Sequence, residues 1–268
     1  QVADLMARAG LRVPDVLAWD QANGFMLLTD LGTQTLMQAI QPDAPAPLAH
    51  YLDAVETLVQ WQKASRAGVL PPYDRALLLR EMELFPQWYI AQHRQVTLDA
   101  AQRKVLDEAF EKIIAHNLSW PSVFVHRDFM PRNLMLPTDP NNPTAPLGVL
   151  DFQDAVFGPI TYDIASLMRD AFISWDEDFV LDVTIRYWQA ARAAGLPLPD
   201  DFGEFWRAVE WMGLQRHLKV AGIFARITLR DGKPKYLADT PRFIHYIRHT
   251  CNRYIELKPL LRLVDEIE

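Results

Sequence analysis

The sequence predicts a mostly helical α+β protein, because four short apolar runs fit strands while the longer periodic stretches fit helices. The runs at residues 16–19 and 25–28 flank Asn23-Gly24, a strong hairpin signal. The other two, at 123–125 and 148–150, each lead into an acidic residue, Asp128 and Asp151 respectively.

In chain order, residues 2–10 read as the end of a helix closed by Gly10, and Val13-Pro14 begins an extended segment. After the first hairpin comes a short loop at 42–47. Leu48, Leu52, Val55, Val59 and Gln62 then step at helical spacing, as do Val105, Ala109 and Ile113. The turn-rich residues 137–146 are expected to join the strand at 123–125 to the strand at 148–150 as a hairpin presenting polar groups at one edge. Further helices are expected at 162–172, 179–194, 202–227 and 241–255, separated by Gly195-Leu196-Pro197 and Asp231-Gly232-Lys233-Pro234. There are no internal repeats.

Composition narrows the partners. A chain of 268 residues that is 50% hydrophobic can bury a large core in one domain or two small ones. No uninterrupted apolar run reaches about 18 residues, so no membrane partner is expected. The net charge of −7 argues against nucleic acid, which calls for a basic face. The N-terminus shows no signal-peptide pattern. A single cysteine, Cys251, forms no internal disulfide and suits a reducing compartment, so a cytoplasmic location is expected. His217, His245 and His249 lie on expected helices without a companion carboxylate motif, which argues against zinc ligation.

The chemistry is concentrated in His126-Arg127-Asp128-Phe129-Met130-Pro131-Arg132-Asn133, followed by Leu150-Asp151-Phe152-Gln153-Asp154. An apolar strand delivering Asp128, an amide at Asn133 and a second strand delivering Asp151 supply one base and two cation ligands. That set suffices for phosphoryl transfer, which asks mainly for positioning and charge neutralisation.

Together with Gly158-Pro159, Tyr162 and Asp163-Ile164-Ala165, these motifs resemble the aminoglycoside phosphotransferase and choline kinase superfamily, small-molecule kinases of protein-kinase-like, bilobal fold. The resemblance implies that Asp128 is the catalytic base, that Asn133 and Asp151 hold Mg2+, and that His126, Arg127 and Asp163 support the loop. It further implies ATP as donor, with the purine edge at Leu28, Thr29 and Leu31 in a hinge. Gln153 stands where protein kinases carry glycine. The literal Asp201-Phe202-Gly203 downstream lacks a preceding strand, and Asp200 or Asp201 reads as a helix N-cap instead.

On this resemblance residues 1–31 are the remnant of a small β lobe with its hinge, and 32–268 form the helical catalytic and substrate lobe. No glycine-rich turn or inner-strand lysine is found ahead of Asp4, so the small lobe is expected to be incomplete and ATP binding weak. Too few residues separate Asp151 from Tyr162 for a peptide-docking segment, which points to a small acceptor.

The hinge, Leu84-Phe85-Pro86-Gln87-Trp88-Tyr89 and residues 167–175 are similar to the bacterial amino-sugar kinases that phosphorylate the C1 hydroxyl of N-acetylmuramate and N-acetylglucosamine in cell-wall recycling. That likeness implies a small amino-sugar substrate, and a monomer is expected. Candidate substrate contacts are Arg132, Asp154, Arg169, Asp170, Trp88, Tyr89 and Trp175, offering aromatic faces to a ring and arginine to the muramate carboxylate. An aminoglycoside or other small-alcohol phosphotransferase, and a kinase-fold binding protein without turnover, remain alternatives.

Overall fold

The structure is a computed structural model that describes residues 1–41, 45–137 and 145–268. Helix α1 (Val2–Arg8) ends in a Schellman arrangement: Gly10, at φ +84°, donates to Ala7 O, and Leu11 donates to Met6 O. Strands β1 (Val16–Asp20) and β2 (Phe25–Leu28) pair antiparallel around a turn in which both Asp20 oxygens accept from Asn23 and Gly24 takes φ +75°. Helix α2 (Leu36–Ala39) starts from a Thr35–Gln38 capping box, and α3 (Leu48–Lys63) follows.

Helix α4 (Arg75–Met82) is capped by Asp74, a π-helix runs through Phe85–His93, and α5 (Ala100–Leu118) opens on an Asp99–Gln102 capping box. The strands β3 (Ser122–Val125), β4 (Leu134–Met135), β5 (Gly148–Val149) and β6 (Val156–Pro159) then precede α6 (Thr161–Met168), α7 (Glu177–Ala193), α8 (Phe202–Asp231), α9 (Thr240–Arg253) and α10 (Lys258–Ile267).

The chain divides into two compact units. The first comprises Gln1–Pro72, Pro121–Asp170 and Trp175–Phe205, and the second Tyr73–Trp120, Ala171–Ser174 and Trp206–Glu268. The first is centred on α3, α7 and β3, where Trp61, Phe124 and Tyr187 are fully buried. Gln62, also buried, accepts from the Tyr187 hydroxyl at 2.5 Å and donates to Ile160 O, so its amide is satisfied inside the core. In the second unit α10 lays Leu260, Leu263, Val264 and Ile267 onto α5 and α9. Buried Glu81 pairs with Lys219 at 2.9 Å and accepts from Tyr73 and Gln215. No helix among the described residues is long and apolar enough to cross a membrane.

Most expected elements form, with three corrections. The strand at 123–125 does not pair with 148–150: β3 pairs antiparallel with β6, and β5 pairs with β4. The motif loop separates β3 from the turn, so the arm that reaches the turn is Leu134–Met135. Residues 138–144 of the expected turn, like 42–44 of the earlier loop, lie outside the described residues. Second, the helix expected to reach 172 stops at Met168, where Arg169 leaves helical geometry at φ −122°, ψ 56°. Arg169, Asp170 and Ala171 stay buried past that point although the helix has ended. Third, α4, the π-helix and α10 lie where no helix was expected. Of the two candidate caps, Asp200 and Asp201, it is Asp201 that caps α8, accepting from Gly203 N.

Candidate active site

Strand β3, with Val123, Phe124 and Val125 all buried, delivers His126 and Arg127 to the carboxylate of Asp163 on the first turn of α6. Asp163 is itself buried and accepts both backbone N–H groups, at 2.7 and 3.0 Å. The fully buried His126 ring accepts from Asp128 N at Nδ1 (3.2 Å) and lies 2.9 Å from Leu150 O at Nε2. That pairing fits the neutral tautomer with the proton on Nε2. Burial pushes the ring's pKa down, in keeping with a neutral structural imidazole.

The loop therefore hands Asp128 outward while its neighbours are tied inward. Arg127 sits at φ +78°, a strained conformation for a non-glycine residue, and reaches Asp154 O at 3.4 Å. Asp128 is half-buried, and its carboxylate accepts no hydrogen bond among the described residues. It is thus free to take one from an incoming hydroxyl.

Asn133 closes a short 3-10 turn (Pro131–Asn133) and joins the two motifs. Its Nδ2 donates to Asp128 O at 2.9 Å and to Asp151 Oδ2 at 3.3 Å, while its backbone carbonyl accepts from Leu150 N. Asp151 follows β5 at φ +63°, a second left-handed non-glycine residue. Its other oxygen accepts from Gln153 Nε2 at 2.7 Å.

The donor chemistry fits magnesium. Asp151 offers carboxylate oxygen, Asn133 Oδ1 takes no hydrogen bond among the described residues, and His126 has both ring nitrogens engaged. No cluster of three His, Cys, Asp or Glu is present among the described residues.

The hinge candidates sit at the end of β2. Thr29 donates its N–H to Asp15 O and accepts from Asp15 N at Oγ1, and Leu31 O accepts from Arg12 Nη2 at 2.7 Å. What remains for a purine edge is the Thr29 carbonyl and the Leu31 amide, neither partnered among the described residues. Leu28 is exposed beside them.

The substrate candidates divide. Arg132 and Asp154 are exposed on the loops that carry the motif residues. Arg169 and Asp170 are buried where α6 ends, and Trp175 donates Nε1 to the Tyr51 hydroxyl at 2.7 Å while meeting its ring edge-on. Trp88 and Tyr89 belong to the second unit. Tyr89 is a core residue rather than a stacking face: it is 2% exposed, lies parallel to Phe85, and donates to Glu268. Its π-helical neighbours hold it inward, whereas Trp88 is half-buried.

Two contributors went unread in the sequence. Gln153 donates to the Asp151 carboxylate, and Arg12 donates to the carbonyl of Leu31 in the hinge candidate. The one available signal for Arg12 was a charge set in the apolar run Leu11-Arg12-Val13-Pro14.

Known proteins resemble this chain in sequence and in fold. A protein from Neisseria meningitidis serogroup B named N-acetylmuramate/N-acetylglucosamine kinase is 51% identical over 96% of this chain and 76% of its own length. A protein of the same name from Pseudomonas aeruginosa is 49% identical over 98% of this chain and 76% of its own. Among solved structures, a choline/ethanolamine kinase family protein from Mesorhizobium loti superposes with a TM-score of 0.63 at 17% identity, covering 98% of this chain and 81% of that one. The GDP complex of wild-type aminoglycoside 2'-phosphotransferase-IIIa gives 0.59 at 17% identity, over 94% and 80%. These likenesses show the protein-kinase-like fold. Residues 1–198, which carry every residue of the Asp128–Asn133–Asp151 network, match the family model described as phosphotransferase enzyme family, and the chain belongs to that family of phosphotransferases.

Proposed function

We propose that this protein is an ATP-dependent kinase that phosphorylates the anomeric hydroxyl of N-acetylmuramate and N-acetylglucosamine, in the recycling of peptidoglycan sugars. The observation that carries phosphoryl transfer is Asn133 Nδ2 bonded to both the Asp128 carbonyl and the Asp151 carboxylate, which sets base and cation ligands side by side. The acceptor class is supported by the shared name of relatives near half-identical over almost the whole chain.

In this reading residues 1–31 supply the hinge and 32–268 the catalytic and substrate lobe. Thr29 O and Leu31 N meet the adenine edge, with Leu28 against its face. Asp128 orients the C1 hydroxyl and accepts its proton as the oxygen attacks the γ-phosphorus in line. Asn133 and Asp151 hold Mg2+, which supplies charge neutralisation on the phosphates when bound. Asp163, His126 and Arg127 keep Asp128 at its station. Arg132 or Arg169 is proposed to meet the muramate carboxylate, and Asp154, Asp170 and Trp175 the sugar hydroxyls and ring. Of the aromatic pair in the second unit, half-buried Trp88 rather than buried Tyr89 is the candidate for a sugar ring. The protein is proposed to act as a cytoplasmic monomer without a nucleic-acid or membrane partner.

The test is ATP consumption with N-acetylmuramate, N-acetylglucosamine, kanamycin, choline and homoserine, followed by phosphorus NMR of the product. Turnover confined to the two amino sugars, with phosphate on C1, is expected. Preference for kanamycin or choline, or phosphate on C6, would refute the acceptor assignment.

A further inference from the structure

We propose that Arg12 is a positioning residue that fixes the nucleotide hinge to the strand bearing Asp151, so that the purine contact and the cation ligand keep a set spacing. This rests on the kinase reading above for the meaning of the two ends, but the brace itself is a matter of geometry.

Arg12 makes both halves of the connection. Its backbone carbonyl accepts from Val149 N at 2.8 Å, and it forms a parallel bridge with Gly148, so its main chain acts as a further rung beside β5. Its side chain turns the other way, and Nη2 donates to the carbonyl of Leu31, 19 residues along the chain, at 2.7 Å. One residue thus links the hinge to a strand that ends two residues before Asp151 in sequence terms, at Val149.

The packing around this link is tight. A Cβ at Gly148 would stand 2.8 Å from Leu31 Cδ1, 3.1 Å from Met135 Cβ and 3.4 Å from Arg12 Nη1. Leu31, Arg12 and β4 therefore close over Gly148 at a separation that no larger residue allows without moving Leu31. Arg12 has no carboxylate partner among the described residues, so its charge is directed to a carbonyl. A hydrogen bond from a charged donor is about twice as strong as a neutral one, which suits a single contact that sets a register.

β1 and β2, the second ending at Leu28, lead into residues 28–31. Leu31 is the first residue after β2 to be buried, and Arg12 holds its carbonyl. The hinge is anchored from the β5 side.

The experiment compares the unsubstituted full chain with Arg12→Gln, Arg12→Lys and Gly148→Ala. Amide hydrogen exchange across residues 28–32 reads the brace without reference to catalysis. Steady-state kinetics and binding of a non-hydrolysable ATP analogue read its consequence. Arg12→Gln is expected to raise exchange at 28–32 and to raise KM for ATP about tenfold, the equivalent of one charge-assisted hydrogen bond, with the sugar KM within about twofold. Arg12→Lys, keeping a donor, should recover part of the ATP affinity, and Gly148→Ala should mimic Arg12→Gln through Leu31.

Unchanged exchange in Arg12→Gln would overturn the brace. Changed exchange with equal nucleotide affinity, or parallel loss of both KM values and melting temperature, would overturn its positioning role. Failure of the unsubstituted chain to bind the analogue would overturn the positioning role, with exchange still reporting on the brace, whereas analogue binding without turnover of any sugar would overturn the kinase reading and leave the brace standing.

Discussion

The carboxylate of Asp163 spans two consecutive backbone amides, those of His126 and Arg127, at 2.7 and 3.0 Å. Each oxygen takes one N–H, so an amide in its place presents an NH2 to one of the donors. Asp163→Asn is expected to cost about 1–3 kcal/mol and to lower the melting temperature by several degrees. Because the displaced loop carries Asp128, turnover is expected to fall about a hundredfold. Thermal melts and kcat measured side by side test this; an unaltered kcat in a destabilised variant would show that Asp163 serves folding alone.

Asp128 and Asp151 should behave in the opposite way. Asp128 is half-buried with no hydrogen bond on its carboxylate, and Asp151 is exposed, so neither contributes much to the fold. Asp128→Asn and Asp151→Asn should each leave the melting temperature within about two degrees while removing nearly all turnover. Retention of more than a few per cent of kcat in either would remove that residue from the mechanism.

One fully buried histidine, His126, and one half-buried histidine, His116, are expected to weaken the fold in acid. Burial, with a smaller contribution from Arg207, holds His116 down to about 4, and burial also depresses His126. Both stay neutral in the folded chain, whereas in the unfolded chain they charge near 6.5. Below about 6.5 the unfolded state binds protons that the native state refuses, so stability is full above that pH and falls as pH drops toward 4. Melting temperature measured from pH 7.5 to 5 should decline, and His116→Gln should flatten the decline. An identical slope in the variant would assign the loss to other groups.

Gly222 on α8 marks a close approach in the second unit. A Cβ there would lie 2.3 Å from the carbonyl carbon of Leu84, which caps the π-helix. Backbone cannot yield as a flexible side chain would, so Gly222→Ala should cost about 1–3 kcal/mol and lower the melting temperature by about 4 °C or more. A melt unchanged by the substitution would mean that the π-helix shifts freely.

The legible parts of the sequence were those where a local rule and the tertiary structure agree. Asn23-Gly24 named its hairpin, Gly10 its helix end and Asp201 its cap, because each answers to backbone geometry within a few residues. His126 to Asn133 with Asp151 was legible as chemistry, and the network joining them forms. Strand pairing was less so: β6 ends in Gly158-Pro159, which reads as a turn, yet it is the true neighbour of β3. Helix α10 carries a full apolar period with Pro259 in its first turn, a signal that was present beyond the last expected helix. Tyr89 shows the limit for substrate residues, since an aromatic at helical spacing looks the same in a core and on a platform.

The left-handed backbone at Arg127 and Asp151 has a consequence for the timing of assembly. Both residues hold conformations that isolated chain avoids, one pinned by Asp163 and the other followed by Gln153 on its own carboxylate. The unfavourable dihedrals are met when the chain folds, through contacts made entirely within it. On the proposed reading, a donor and acceptor arriving later would encounter groups already aimed, and their binding energy would be left for the reacting atoms rather than for bending the loops into shape.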